Sequence, residues 1–140
     1  MRFLFYTHSL VSDWNHGNAH FLRGVMRALA KMGHDVMALE PAGGWSRTNL
    51  VREQGLLPER RFAERFPMLA PQVHGPDFDH EAALDRADVV VVHEWNEPDL
   101  VARIGKARKE RGRFVLAFHD THHRAVSAEC ELFASDLSGY

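Results

Sequence analysis

The apolar positions change period twice within the first forty residues. Arg2 to Thr7 (R-F-L-F-Y-T) is a short apolar and aromatic run that ends in polar residues, as a buried parallel strand does. From Gly17 to Met32 the period becomes helical, with Leu22, Val25, Met26 and Leu29 at i, i+3, i+4 and i+7 on one face. Gly33 is placed to end that helix as a C′ glycine, and His34 to Glu40 (H-D-V-M-A-L-E) reads as a second strand. The three segments together predict a β-α-β unit, whose right-handed crossover builds a parallel sheet.

The middle of the chain is less regular. Five prolines and scattered arginines lie between Pro41 and His80, with weak helical signals at 46–54 and at 59–66, where Phe62 and Phe66 are one turn apart. Short helices joined by irregular loop are expected there, with room for one further strand. Order returns at Asp88 to His93 (D-V-V-V-V-H), a β-branched run with no wet face and therefore a central strand. Pro98 suits the first turn of a helix that turns Leu100, Val101, Ile104 and Ala107 inward, and Gly112 stops it. Arg113 to Phe118 (R-F-V-L-A-F) is expected to be another buried strand, and a last helix is expected over about 125–133. The pattern predicts one Rossmann-like α/β domain over residues 1–140, three-layer α/β/α with a mostly parallel sheet. A fold of this kind would continue into another strand after the last helix, so the chain is expected to be part of something larger.

Charge narrows the partners. Seventeen Lys and Arg against nineteen Asp and Glu give a formal charge of −2, which supplies no global field for nucleic acid or an anionic membrane. The basic run from Arg103 to Arg113 falls on the end of a predicted helix, where cations suit the macrodipole. Cys130 is the only cysteine, which excludes an internal disulfide, fits a reducing, cytoplasmic compartment, and reads as a small core residue. The run Phe3 to Tyr6 is too short for a signal sequence, and no run approaches the roughly 20 apolar residues of a membrane span.

In an open parallel sheet, ligands sit outside the carboxyl ends of the strands, where loops and helix N-termini converge. Thr7 and His8 leave the first strand, His93 and Glu94 the Val-rich strand, and His119 and Asp120 the strand after it. With His16 and His20 at the start of the first helix, and with His122 and His123, six of the ten histidines gather near that edge even without His8. The loop His16-Gly17-Asn18-Ala19-His20 can bring backbone N–H groups to a phosphate or side chains to sugar hydroxyls. The segment D-W-N-H-G-N-A-H is not G-x-G-x-x-G and lacks the lysine of a P-loop, so a nicotinamide dinucleotide is not expected. Trp14 and Trp95 lie on the same edge and could stack on a sugar ring, whereas Trp45 is expected to cover core.

The order of R-F-L-F-Y, H-G-N, M-G-H-D-V, V-V-V-V-H-E-W-N-E-P and F-V-L-A-F-H-D-T resembles the N-terminal, acceptor-side domain of GT-B type glycosyltransferases. It is most like bacterial members related to the spore-maturation group. The resemblance is clear over residues 1–41 and 87–124. It implies half of a GT-B architecture, in which a C-terminal domain absent from this chain holds most of the nucleotide-sugar. No other cofactor is implied, and the chain alone is expected to be inactive. Residue by residue, it implies that Gly17 and Asn18 approach the donor phosphates, although the family's frequent Gly-Gly pair is here Gly-Asn. It implies that His119 is the base or a contact to the transferred sugar, and that His93, Glu94 and Asn96 line the acceptor side. Imidazole with a reference pKa of about 6.5 can take the proton of an acceptor hydroxyl at neutral pH, and Asp120 or Glu94 could orient it. The substrate-binding set is completed by His16, His20 and His122.

Two other readings use the same residues. A metal-dependent hydrolase would need His93, Glu94, His119, Asp120, His122 and His123 to converge, yet no H-E-x-x-H helix is present and neighbouring histidines on an extended chain point apart. A non-catalytic binding module would keep the fold and use the histidines only as loop residues.

Overall fold

A computed structural model describes residues 1–11, 18–121, 130 and 134–140. Five strands form one sheet in the order β3-β2-β1-β4-β5, with β1 at Arg2–Tyr6, β2 at Asp35–Pro41, β3 at Gln72–His74, β4 at Val89–His93 and β5 at Val115–His119. Every pair is parallel, and the register sets Phe5 beside Ala38 and Val91, and His93 beside His119. Helices cover both faces, giving the three-layer Rossmann-like α/β architecture.

Alternation along the strands fills two cores. Leu4, Tyr6, Val90 and Val92 face α4 (His80–Asp85) and α5 (Pro98–Arg111), packing with Leu84, Val101, Ile104 and Ala107. Phe5 and Ala38 face the other way, toward Leu22 and Met26 of α1 (Asn18–Lys31), Phe62 of α3 (Leu57–Arg65) and Leu69 of the 3-10 turn Pro67–Leu69. The predicted helical stripe is therefore the buried one, and the rings of Phe62 and Phe66 lie 5.2 Å apart. Gly112 adopts the left-handed conformation at φ 61° and its N–H closes α5 onto the Arg108 carbonyl, as a helix-ending glycine does. The basic run ends α5 as expected, and Arg111 pairs with Asp85 at 2.8 Å and with Glu81.

The irregular middle resolves into α2 (Trp45–Gln54), α3, the 3-10 turn and the extra strand β3, followed by α4. Three expectations are corrected. β5 lies at the edge of the sheet, with Val115 59 % exposed and Ala117 also exposed, so it is not a buried strand. Cys130 is exposed, and both cores are filled without it. Trp45 is 58 % exposed, because α2 turns Ser46, Asn49 and Leu50 inward instead. The helix expected over 125–133 falls outside the described residues, apart from residue 130. No described helix is long and apolar enough to cross a membrane.

Candidate functional site

The chain runs outward from β1 through β2 to β3 and then crosses back to β4 and β5. The sheet therefore reverses direction between β1 and β4, and the carboxyl ends of those strands form the crevice where open α/β sheets bind ligands. His8, His93 and His119 are delivered there. The ring of His93 stands 4.9 Å from that of His8 and 5.0 Å from that of His119, so three imidazoles form a row across the ends of β1, β4 and β5.

The row is held from below by backbone contacts. Thr7 extends the β1 ladder, its N–H and its hydroxyl both donating to the Leu39 carbonyl at 2.9 and 3.2 Å. The Asn96 amide is buried and donates to the carbonyls of Tyr6 (3.0 Å) and His93 (2.8 Å), which pins the loop after β4 to the end of β1. The Asn96 amino group is thus committed to the fold beneath the imidazole row. The Trp95 N–H donates to His93 Nδ1 at 3.2 Å, which places the proton of a neutral His93 ring on Nε2.

His119 is half-buried against Phe21, whose ring stacks on it at 5.1 Å. Burial drives its pKa below the ordinary value, outweighing the carboxylates of Glu94 and Asp120, which act in the opposite direction. The ring is neutral at pH 7 and able to accept a proton. Among the described residues its Nδ1 has no hydrogen-bond partner. Oε1 of the Glu94 carboxylate receives the N–H and the hydroxyl of Thr121, at 3.0 and 2.5 Å, which ties it to the loop after β5. Asn18, the first residue of α1, donates to the same Thr121 hydroxyl at 3.0 Å and ties the helix start to the end of β5. Asp120 and His20 are exposed beside this contact. His16, Gly17 and His122, together with Trp14 and His123, lie outside the described residues. Among the described residues no three His, Cys, Asp or Glu side chains gather as a metal-ligand set.

Beside His8 opens a cleft of about 680 Å³ lined by Pro41 to Ser46, Trp95 and Glu97. The loop from β2 into α2 forms its other wall, and Gly44 lets that loop close on β1. A Cβ at Gly44 would stand 3.3 Å from the Pro41 carbonyl oxygen and 3.4 Å from that of His8. Beneath the loop Glu40 is buried, accepts the Leu10 N–H and faces Arg47 at 3.9 Å. Desolvation raises its pKa to about 7, more than the Leu10 N–H and Arg47 lower it. Arg47 spends its closer contact on Glu59, at 2.7 Å.

A second polar group is sealed inside. Tyr6 bonds His80 Nδ1 at 3.2 Å, and the ring of His74 stands 5.1 Å from that of His80. Burial lowers the pKa of both histidines and raises that of Tyr6. Neither this group nor the role of Glu40 was anticipated from sequence. The one available signal for the cleft was Gly43-Gly44 directly before a helix.

The chain matches no family model, no curated protein and no solved structure.

Proposed function

We propose that this chain is the acceptor-side domain of a two-domain GT-B type glycosyltransferase of the kind found among bacterial spore-maturation-related enzymes. The observation that carries the reading is the row of His8, His93 and His119 at the strand ends, closed by a half-buried imidazole that burial keeps neutral. The motif order of the strand ends supports it. An acceptor hydroxyl attacks the anomeric carbon of a nucleotide-sugar, and the bond from that carbon to the diphosphate oxygen breaks. His119 takes the hydroxyl proton, and the nucleoside diphosphate leaves with the bonding electron pair. Glu94 fixes the loop that carries Thr121, and Asn96 and Thr7 hold the strand ends that aim the imidazoles.

Stabilising the departing diphosphate requires positive charge or oriented N–H groups. The start of α1 at Asn18 supplies a part, and a donor-binding domain supplies the rest. The reaction takes place in the cytoplasm, where nucleotide-sugars are made. Sugar transfer from a panel of radiolabelled nucleotide-sugars is expected when this chain is joined to its donor-binding domain. None is expected from residues 1–140 alone. Transfer by the isolated chain would contradict the two-domain reading. A joined protein that binds glycans without transfer would leave a binding module.

A further inference from the structure

The imidazole row accounts for the strand ends but not for the adjoining cleft. That cleft holds two exposed indole rings, Trp45 at 58 % and Trp95 at 40 % exposure. They reach it from opposite sides of β1, one from the start of α2 and one from the loop after β4. Neither is held there by burial in the core. Trp45 follows Gly44, whose missing side chain lets the loop close on His8, and the Trp95 backbone is anchored on His93 Nδ1. Two partly exposed indoles, that of Trp95 6.5 Å from the His8 ring, in a concavity of ligand size mark a surface suited to being covered in use.

The charge of the lining selects what covers it. Among the described residues no Lys or Arg lines the cleft, and Glu97 contributes a carboxylate. Arg47, the guanidinium behind the loop, is engaged by Glu59 and Glu40. Among these described residues a phosphate or carboxylate ligand would therefore meet a carboxylate and no Lys or Arg. A pyranose ring meets what it needs. Its C–H face lies against the negative face of an indole. Its hydroxyls can donate to Glu97 and exchange hydrogen bonds with His8. They can also accept from the first-turn N–H groups of α2, which carries no side-chain cap. We infer that the cleft of Trp45, Trp95, His8 and Glu97 is a subsite for an uncharged pyranose unit of a glycan, stacked on indole.

His8 lines the cleft and also begins the imidazole row, so a glycan seated on the tryptophans is led toward His119. That direction rests on the transferase reading; the binding itself does not.

The test is titration of the 140-residue protein with neutral cello-, malto-, manno- and chito-tetraose, followed through the indole N–H resonances and by calorimetry. UDP and glucose 6-phosphate serve as anionic comparators. At least one neutral glycan is expected to shift the Trp45 and Trp95 resonances. Trp45→Ala and Trp95→Ala are each expected to weaken it about tenfold, the scale of stacking on an aromatic face. Trp45→Phe should retain most of the affinity, and Met68→Ala, at an exposed residue outside the cleft, all of it. Failure of every neutral glycan to bind, tighter binding of UDP, or binding indifferent to Trp45→Ala overturns the subsite. The two readings fail separately. Transfer whose acceptor KM ignores Trp45→Ala removes the subsite and leaves the transferase, whereas glycan binding without transfer by the joined protein does the reverse.

Discussion

The two ends of the sheet handle polar groups in opposite ways. At the amino ends Arg2, Asp35 and Asp88 lie in water and pair with one another. Arg2 bonds Asp35 at 2.8 Å with the two side chains 44 % and 62 % exposed, and its N–H meets Asp88 at 2.6 Å. The hollow there is about 280 Å³ and is lined by Arg2, Asp35 and Arg86 beside apolar residues. At the carboxyl ends Glu40 is buried and His119 half-buried, both shifted toward their neutral forms, beside a cleft of about 680 Å³. Exposed charge closes the sheet at one end at little cost. At the other end Glu40 and His119 are desolvated and shifted toward neutrality, the kind of perturbation that clusters at functional sites.

The contrast predicts unequal responses to mutation. Glu40 carries a folded pKa of about 7 against an ordinary 4.5, so the folded state holds a proton that the unfolded state has lost between those values. Its contribution is complete below pH 4.5 and is lost as pH rises through 7, a change on the order of 3 kcal/mol. Glu40→Gln can keep the acceptor for the Leu10 N–H and should remove that slope. Denaturant unfolding of both proteins from pH 4 to 8 checks it, and parallel curves would mean that Glu40 is ionised in the fold.

Next in size, Tyr6→Phe removes the partner of His80 inside the protein and should cost about 1–2 kcal/mol by thermal unfolding at pH 7. The buried histidines act oppositely to Glu40. His74, His80 and His119 have folded pKa values below the ordinary 6.5, so their contribution is intact above pH 6.5 and is lost as pH falls below it. Histidine ring resonances followed by NMR should therefore show these three titrating below 6.5. At the amino ends Arg2→Ala breaks only a half-exposed pair and should cost under about 1 kcal/mol. A larger loss there would erase the distinction between the two ends.

What the sequence made legible follows the same division. Runs such as V-V-V-V-H and the stripe Leu22, Val25, Met26, Leu29 announce elements because burial on one or both faces leaves a period. The histidines at the strand ends were legible for the same reason, since a strand that is read correctly also fixes what leaves it. β3 was not, because Gln72–His74 is three residues long and has no apolar run. The six residues of α4 are too few to show a stripe, although Asp79 caps it by accepting the Ala82 N–H at 3.0 Å. β5 read as buried because V-L-A-F is apolar throughout, and only the strand order reveals it as an edge. The cleft depends on Gly44 bringing the loops after β1 and β2 together, a tertiary fact with no local period. Glu40 was invisible because an acidic residue at a strand end looks like surface until the strand is placed between two others.

The central claim is that the half-buried imidazole at the end of β5 takes the acceptor proton. It is tested most directly by kcat for sugar transfer in the joined protein carrying His119→Ala. The account predicts a fall of about 10²- to 10⁴-fold with the acceptor KM little changed, and in the unmutated protein an acidic limb centred below pH 6.5. An unchanged kcat, with that acidic limb still in place after the substitution, would contradict it.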